Sequence, residues 1–291
     1  MRSPLYAELS CGGQTVRLDG LVGGRGLRVT SGGIEGWWST PDPKWSLTER
    51  QSADGAHEVA DGMALYSART VTVHAVAMGR DRDDAKALLD SLLAMAHGRA
   101  RLRVVDSSED TFCEGLVSVQ AGDEWHPGAI LADVTLTCPD PRRLATAAES
   151  AVMLPASASL TAGLSYGEGG RGLAYPLDYG KGALDARNVC TVTNHGTSTA
   201  WPTIRVSRGM ADVELLAACA GRASTLSLAG TCTTEVTIDC RTRTAATART
   251  DVTRRLTGAG ALGVPAGETM RLALLSAGTG SVSVELRDTY V

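Results

Sequence analysis

The stretch RTVTVHAVAMGRDRDDAKALLDSLLAMAHG, Arg69 to Gly98, holds two periodicities side by side, and the switch between them decides the fold class. From Arg69 to Met78 apolar and polar residues alternate, which puts Val71, Val73, Ala75 and Ala77 on one face of a strand. From Asp81 the spacing changes to threes and fours, and Ala85, Leu88, Leu89, Leu92, Leu93 and Ala96 form one apolar stripe. Asp81 is placed to cap the helix, Asp83 and Asp84 complement its positive end, and Gly98 after His97 is expected to end it in a left-handed conformation. A strand followed by a one-sided helix implies a helix lying on a sheet.

Strands flank this unit on both sides. LYAELS, a Cys-Gly-Gly turn and QTVRL make an opening hairpin, and GLVGGRGLRVTSGG is a glycine-punctuated strand and loop. After the helix, ARLRVVD, TFCEGLVSVQ and GAILADVTLTC follow as an antiparallel meander. Between Ile34 and Ala68 regular periodicity is absent, and the segment carries three of the five Trp, namely Trp37, Trp38 and Trp45. A connection of that length is functional or held by a partner. CPDPRRLA, Cys138 to Ala145, breaks the pattern, which sets an N-terminal domain over residues 1–140 and an irregular lead-in over 141–185. Over 186–291, NVCTVTN, WPTIRVS, STLSLAG, TEVTIDC, MRLALLS and SVSVELRD are six short alternating runs, the pattern of a β-sandwich. The expected fold class is therefore mainly β with one clear helix, in two sandwich-like domains.

Composition narrows the chemistry. Hydrophobic residues are 43% of the chain but aromatics only 4%, so Val, Leu, Ala and Thr must fill the interior. The seven cysteines include no C-x-x-C pair, which argues against a disulfide scaffold and a zinc ribbon and for buried reduced thiols. No apolar run approaches the about 18 residues of a membrane span, and the first residues lack the apolar core of a signal peptide, so a soluble chain is expected. Residues 1–140 hold 20 acidic against 13 basic side chains and residues 141–291 hold 12 against 15, so the two halves face different surroundings or face each other. The arginines do not cluster, and sequence-specific nucleic-acid binding is not expected.

No motif builds an enzyme. GLSYG, Gly163 to Gly167, matches the nucleophile elbow that would make Ser165 a serine-hydrolase nucleophile, but GEGGRG follows where a helix must stand. The G-x-G-x-x-G formed by Gly167, Gly169 and Gly172 lacks the same context. The five histidines are scattered without metal-ligand spacing, and no cofactor or metal is expected. Trp37, Trp38 and Trp45, with Tyr66, are candidate contacts to another subunit or partner; stacking on sugars, or a small local core under the loop, are the alternatives. In TNHGTSTAWPTIRV, Thr193 to Val206, Asn194 to Gly196 turns the chain, Pro202 opens a strand, and Trp201 plugs the sandwich core or serves as a sugar-stacking platform.

These elements together resemble the distal tail proteins of long-tailed, non-contractile bacteriophages. DGMALYSARTVTVHAVAMG before one capped helix and a meander is similar to the family's N-terminal domain. NHGTSTAWPTIRVS, TEVTIDCRTRT and VELRDTYV resemble, in order, its Asn-x-Gly-Thr with Trp-Pro and strand, its strand ending in Ile-Asp, and its terminal Arg-Asp with an aromatic. Arg249 to Gly267 departs from the pattern, having no clear apolar strand where the family's sheet continues. The resemblance implies a virion protein of the tail tip, assembled in the host cytoplasm, with a galectin-like C-terminal sandwich. It implies a homo-hexameric ring between the tail tube protein and the tail tip hub protein, with DNA passing through its channel. Receptor-binding proteins or host surface glycans are further partners it implies, and a free-standing carbohydrate-binding receptor module is the competing reading.

Overall fold

The computed structural model describes residues 5–20, 24–45, 47–57, 65–155, 187–258 and 262–291. The chain divides into two compact units, Met1–Ala147 with Thr289–Val291, and Ala148–Asp288. The first unit contains β1 (Tyr6–Cys11), β2 (Gln14–Asp19), β3 (Gly26–Glu35), β4 (Arg69–Met78), α1 (Arg82–Leu93), β5 (Arg99–Asp106), β6 (Glu109–Ala121), β7 (Ala129–Cys138) and β8 (Arg143–Ala145). The second contains β9 (Glu149–Met153), β10 (Val189–Thr193), β11 (Thr203–Val206), β12 (Ala211–Cys219), β13 (Arg222–Thr231), β14 (Val236–Asp239), β15 (Thr244–Ala246), β16 (Leu256–Thr257), β17 (Thr269–Leu274) and β18 (Val282–Leu286). β19 (Thr289–Tyr290) then returns to the first unit and pairs with β8.

In the first unit the strand order is β19-β8-β6-β5-β1-β2-β3-β4-β7, and β7 also pairs with β6, so the sheet closes on itself. The closure is weak on one side, where β2 meets β3 only through Asp19 and Arg28. On the other side β6 pairs with two strands in turn, since its 13 residues meet β8 through Thr111 and Phe112 and β7 from Leu116 to Ala121. Gly115 sits at this branch, where a Cβ would lie 2.2 Å from the Thr137 carbonyl oxygen. Only glycine lets the two backbones meet there. Val71, Val73, Ala75 and Ala77 of β4 all point into the core, and Trp37 is the one aromatic side chain in that cluster.

The helix starts as expected, with the Asp81 carboxylate accepting the Asp84 N–H at 2.8 Å. Its end differs. After Leu93 the chain tightens into a 3-10 turn, Ala94–His97, which turns Met95 into the core and leaves Leu93 and Ala96 outside. Gly98 is extended, with φ −156°, and not left-handed. Its missing side chain makes room for Cys11 instead, whose Sγ would lie 3.0 Å from a Cβ.

The second unit is a sandwich of two five-stranded sheets, β10-β17-β12-β13-β16 and β15-β14-β11-β18-β9. The six expected runs form β10, β11, β13, β14, β17 and β18. β12 was not among the expected strands, because ADVELLAAC is built of good helix formers. Pairing with β13 on one side and β17 on the other makes it a central strand and buries Val213, Leu215 and Ala217. Between residues 249 and 267 the described chain gives β16, a short 3-10 turn over Thr253–Arg255, and bridges from Val264 to Ala200 and from Asp251 to Ala246.

Three stretches fall differently from the sequence-based division at 140, 185 and 186. The first unit runs on to Ala147, β9 of the expected lead-in belongs to the second sandwich through β18, and the last three residues belong to the first unit. Strand pairing fixes these memberships, and pairing partners distant in sequence leave no local signature.

Candidate functional site

The candidate site begins where β3 ends. Gly36 has φ +76°, and a Cβ there would lie 2.3 Å from the Thr70 carbonyl oxygen, so the turn requires glycine. The turn drops Trp37 into the core and passes its backbone beneath Arg69, the first residue of β4. Arg69 is buried, and its guanidinium is a clamp: Nη1 donates to the carbonyls of Gly36, Trp37 and Ser39 at 2.6, 3.1 and 2.8 Å, and Nε donates to that of Pro141 at 2.7 Å. Burial, and next the charge of Arg143, pull its pKa below the ordinary arginine value. Arg143 lies over the Trp37 ring, 5.6 Å from its centroid.

From this base an arm extends. Lys44 N–H donates to the Leu65 carbonyl at 2.6 Å and Ser67 N–H to that of Asp42 at 2.8 Å, around a bridge between Pro43 and Tyr66. Farther out, Glu49 bridges Ala56, with His57 N–H donating to Thr48 at 2.9 Å. The described part of the Ile34 to Ala68 loop is thus an antiparallel arm whose two roots are tied by one side chain. Such a two-stranded ribbon is marginal alone.

The tryptophans expected at a contact separate sharply. Trp37 is 1% exposed and serves the core, which corrects its place among the candidate contacts, whereas Trp38 and Trp45 are 47% and 52% exposed. Tyr66 is half-buried in the bridge, and Leu47 and Leu65 on the arm are exposed. Sequence reasoning missed Trp125, which at 69% is more open than Trp38 or Trp45. It stands in the turn between β6 and β7, whose base is held by Arg82 Nη1 donating to the carbonyls of His126 and Ala129, both at 3.1 Å. A Trp between Asp-Glu and His-Pro-Gly, bounded by two strands, was the available signal.

The outer faces of the first unit differ in charge. Across β1, β5 and β6 runs a ladder: Arg103 makes a bidentate pair with Asp110 at 2.7 Å, Arg101 meets Glu114 at 2.7 Å, and Arg103 reaches Glu8 at 3.8 Å. The Arg103 hydrogen bonds hold Asp110 below the usual carboxylate range. Across β4, β7 and the end of β6 the outer face carries Thr70, Thr72, Thr135, Thr137, Ser118 and Leu116. On the same face His74 Nδ1 lies 2.8 Å from the Asp133 carboxylate and its Nε2 lies 3.8 Å from that of Glu35.

In the second unit, Asn194 is fully buried. Its amide donates to the carbonyls of Ser198, Val264 and Pro265 at 2.8, 2.9 and 3.2 Å, and its Oδ1 accepts from Gly196 N–H at 3.0 Å. The turn therefore works through the Asn side chain and not through positive φ, which none of residues 194 to 196 adopts. Trp201 is half-buried beside the core, its ring against Gly263, where a Cβ would lie 3.1 Å from the ring. It is the one aromatic among the described residues of this unit. Ser165 and the glycines at 167, 169 and 172 lie outside the described residues. Among the described residues no group of three or more His, Cys, Asp and Glu is arranged to hold a metal, and no helix is long and apolar enough to cross a membrane.

Neither a protein-family profile nor a curated sequence matches the chain. Among solved structures the chain is similar to the Dit protein (gp 19.1) of phage SPP1, a paradigm of the hub adsorption apparatus in phages that infect Gram-positive hosts. The match has a TM-score of 0.60 at 13% identity and covers 98% of this chain and 99% of that one. Chains of the phage P2 baseplate, in its activated conformation with Ca and with Sr, match at a TM-score of 0.49 and 10% identity, over 98% of this chain in both and 98% and 99% of theirs. The chain thus has the fold of the SPP1 Dit protein from end to end.

Proposed function

We propose that the chain is a structural protein of a long-tailed, non-contractile phage. Six copies form a ring at the far end of the tail tube, join it to the tail tip hub and let DNA pass through the channel. The observation that carries this reading is the likeness in fold to the SPP1 Dit protein across 98% of the chain. At 13% identity that likeness speaks for the fold. The step to function rests on the order of the C-terminal motifs and on the arm.

An arm with Trp45, Leu47 and Leu65 exposed presents apolar surface that a closed ring would cover with a neighbouring copy or with the tube. The acidic balance of residues 1–140 supports a bore that repels DNA phosphates instead of trapping them. The second sandwich acts as a bracket. Its single described aromatic, Trp201, is half-buried against Gly263, and this supports a scaffold over a sugar-stacking module. Native mass spectrometry of the full chain, paired with a glycan array, tests the proposal. A hexamer without glycan binding is expected, and a monomer that retains glycans would overturn it.

A further inference from the structure

The second sandwich keeps an opening in its core. β16 is two residues long and pairs with β13 only through Ser227–Thr257 and Leu228–Leu256, so this edge of the sheet covers little of the core beneath it. A cavity of about 110 Å³ lies there, walled by Leu226, Ile238, Cys240, Leu256 and Leu262, with the exposed Arg243 at its mouth. Protein cores leave few voids larger than a water molecule, so a space of this size calls for an occupant. An apolar cavity of about 150 Å³ takes benzene, and this one therefore fits a compact apolar group of about four to six carbons. Its walls are held. Thr253 Oγ1 accepts the Ala245 N–H at 3.0 Å, and Arg255 donates to the carbonyls of Ala229 and Thr231 at 2.6 and 3.2 Å, which ties the 3-10 turn beside the cavity to both sheets.

The mouth is set for an anion. Among the described residues Arg243 makes no hydrogen bond or ion pair, and its φ is +55°, a left-handed conformation that glycine or asparagine adopts at less cost. The turn itself is set by Asp239 Oδ1, which accepts the N–H groups of Arg241 and Thr242 at 2.8 and 3.2 Å, so its geometry does not call for arginine. Backbone strain of this kind gathers at binding sites. From residue 239 to 257 the chain holds Arg241, Arg243, Arg249, Arg254 and Arg255 against Asp239 and Asp251, and the local field favours negative charge. Asp251, like Asp239, is engaged by backbone, its Oδ1 accepting the Thr253 N–H at 2.7 Å. Burial, and next the charge of Asp239, push the Cys240 thiol up to about 12, so that wall carries no charge of its own.

We propose that this cavity binds a small carboxylate with a compact aliphatic tail. The tail fills the space between Leu226, Ile238 and Leu262, and the carboxylate pairs with Arg243, whose planar fork can take both oxygens. The lining residues all belong to the second unit, so the site does not depend on assembly of a ring.

The test titrates the methyl-labelled full chain with hexanoate and follows it by NMR. The methyl signals of Leu226, Ile238, Leu256 and Leu262 should move saturably, and hexylammonium, of equal length and opposite charge, should bind at least about tenfold more weakly. Arg243→Gly should melt no lower than the parent protein, because glycine relieves the left-handed backbone, yet hold hexanoate about tenfold more weakly. Arg243→Asn, which also tolerates that backbone, gives the same binding readout should the glycine variant fail to fold. Methyl signals unmoved at about 10 mM hexanoate, equal affinity for the two probes, or full affinity in the Arg243 variants would overturn the proposal.

Discussion

Replacing Arg69 with Met should destabilise the first unit by about 3–5 kcal/mol, the range for removing one partner from a buried charged contact. Methionine keeps most of the apolar stem, so the change isolates the guanidinium. Swapping a buried charge for an apolar group can stabilise a protein when its partners are swapped too. Here the partners are the carbonyls of Gly36, Trp37, Ser39 and Pro141, which remain after the substitution. A hydrogen bond to a charged group contributes about 1.5–3 kcal/mol net, which sets an upper limit well above the expected loss. Carbonyls near the root of the arm regain water, whereas the Trp37 carbonyl, whose contact is buried, does not. With a urea slope of about 2 kcal/mol per molar, the midpoint should fall by about 1.5–2.5 M. Tryptophan fluorescence reports the right unit, because Trp37, Trp38, Trp45 and Trp125 lie in the first and Trp201 in the second. Arg69→Lys, a point charge without the planar fork, should fall between the two. A midpoint within about 0.5 M of the parent protein for Arg69→Met would refute the clamp.

Three further outcomes follow from other contacts. Asn194→Ala removes three amide contacts and the Gly196 acceptor from a fully buried site, and should lower the second unit's stability by about 3 kcal/mol in calorimetry. Asp84 accepts both Arg25 nitrogens at 2.7 Å, and these hydrogen bonds hold it below the usual carboxylate range. A depressed folded pKa means stability that is present above the unfolded value, about 3.9, and lost as pH falls through the folded one. The stability difference between the parent protein and Asp84→Asn should therefore be constant near neutral pH and shrink below about pH 4; a difference that grew in acid would reverse the assignment. The arm variant Trp45→Ser with Leu65→Ser should keep the monomer's stability to within about 0.5 kcal/mol, as for exposed sites, yet lose higher oligomers in light scattering.

How much of this was legible depended on whether a signal was local. The alternation of RTVTVHAVAM and the Asp81 cap belong to neighbouring residues, and both were readable. Arg69 was not, because an arginine opening a strand has an ordinary solvated meaning until residues 36 to 39 and 141 fold over it. Trp37 and Trp38 are adjacent and identical in type, and only the turn at Gly36 decides which is buried. β12 was hidden by helix-forming residues that two flanking strands overrule. The arm followed the same rule, since the sequence of residues 34 to 68 has no alternation, while its bridges at Pro43–Tyr66 and Glu49–Ala56 join residues far apart in the chain. At the candidate site Trp45 is exposed, and Trp125 is masked in the sequence by the turn residues around it.

The claim at the centre of this account is assembly, and cryo-electron microscopy of the purified full chain tests it most directly. The account predicts a closed ring of six copies around a channel, with each arm seated on a neighbouring copy and carboxylates outnumbering arginines along the bore. Isolated single copies, or a ring whose bore is lined mainly by arginine, would contradict it.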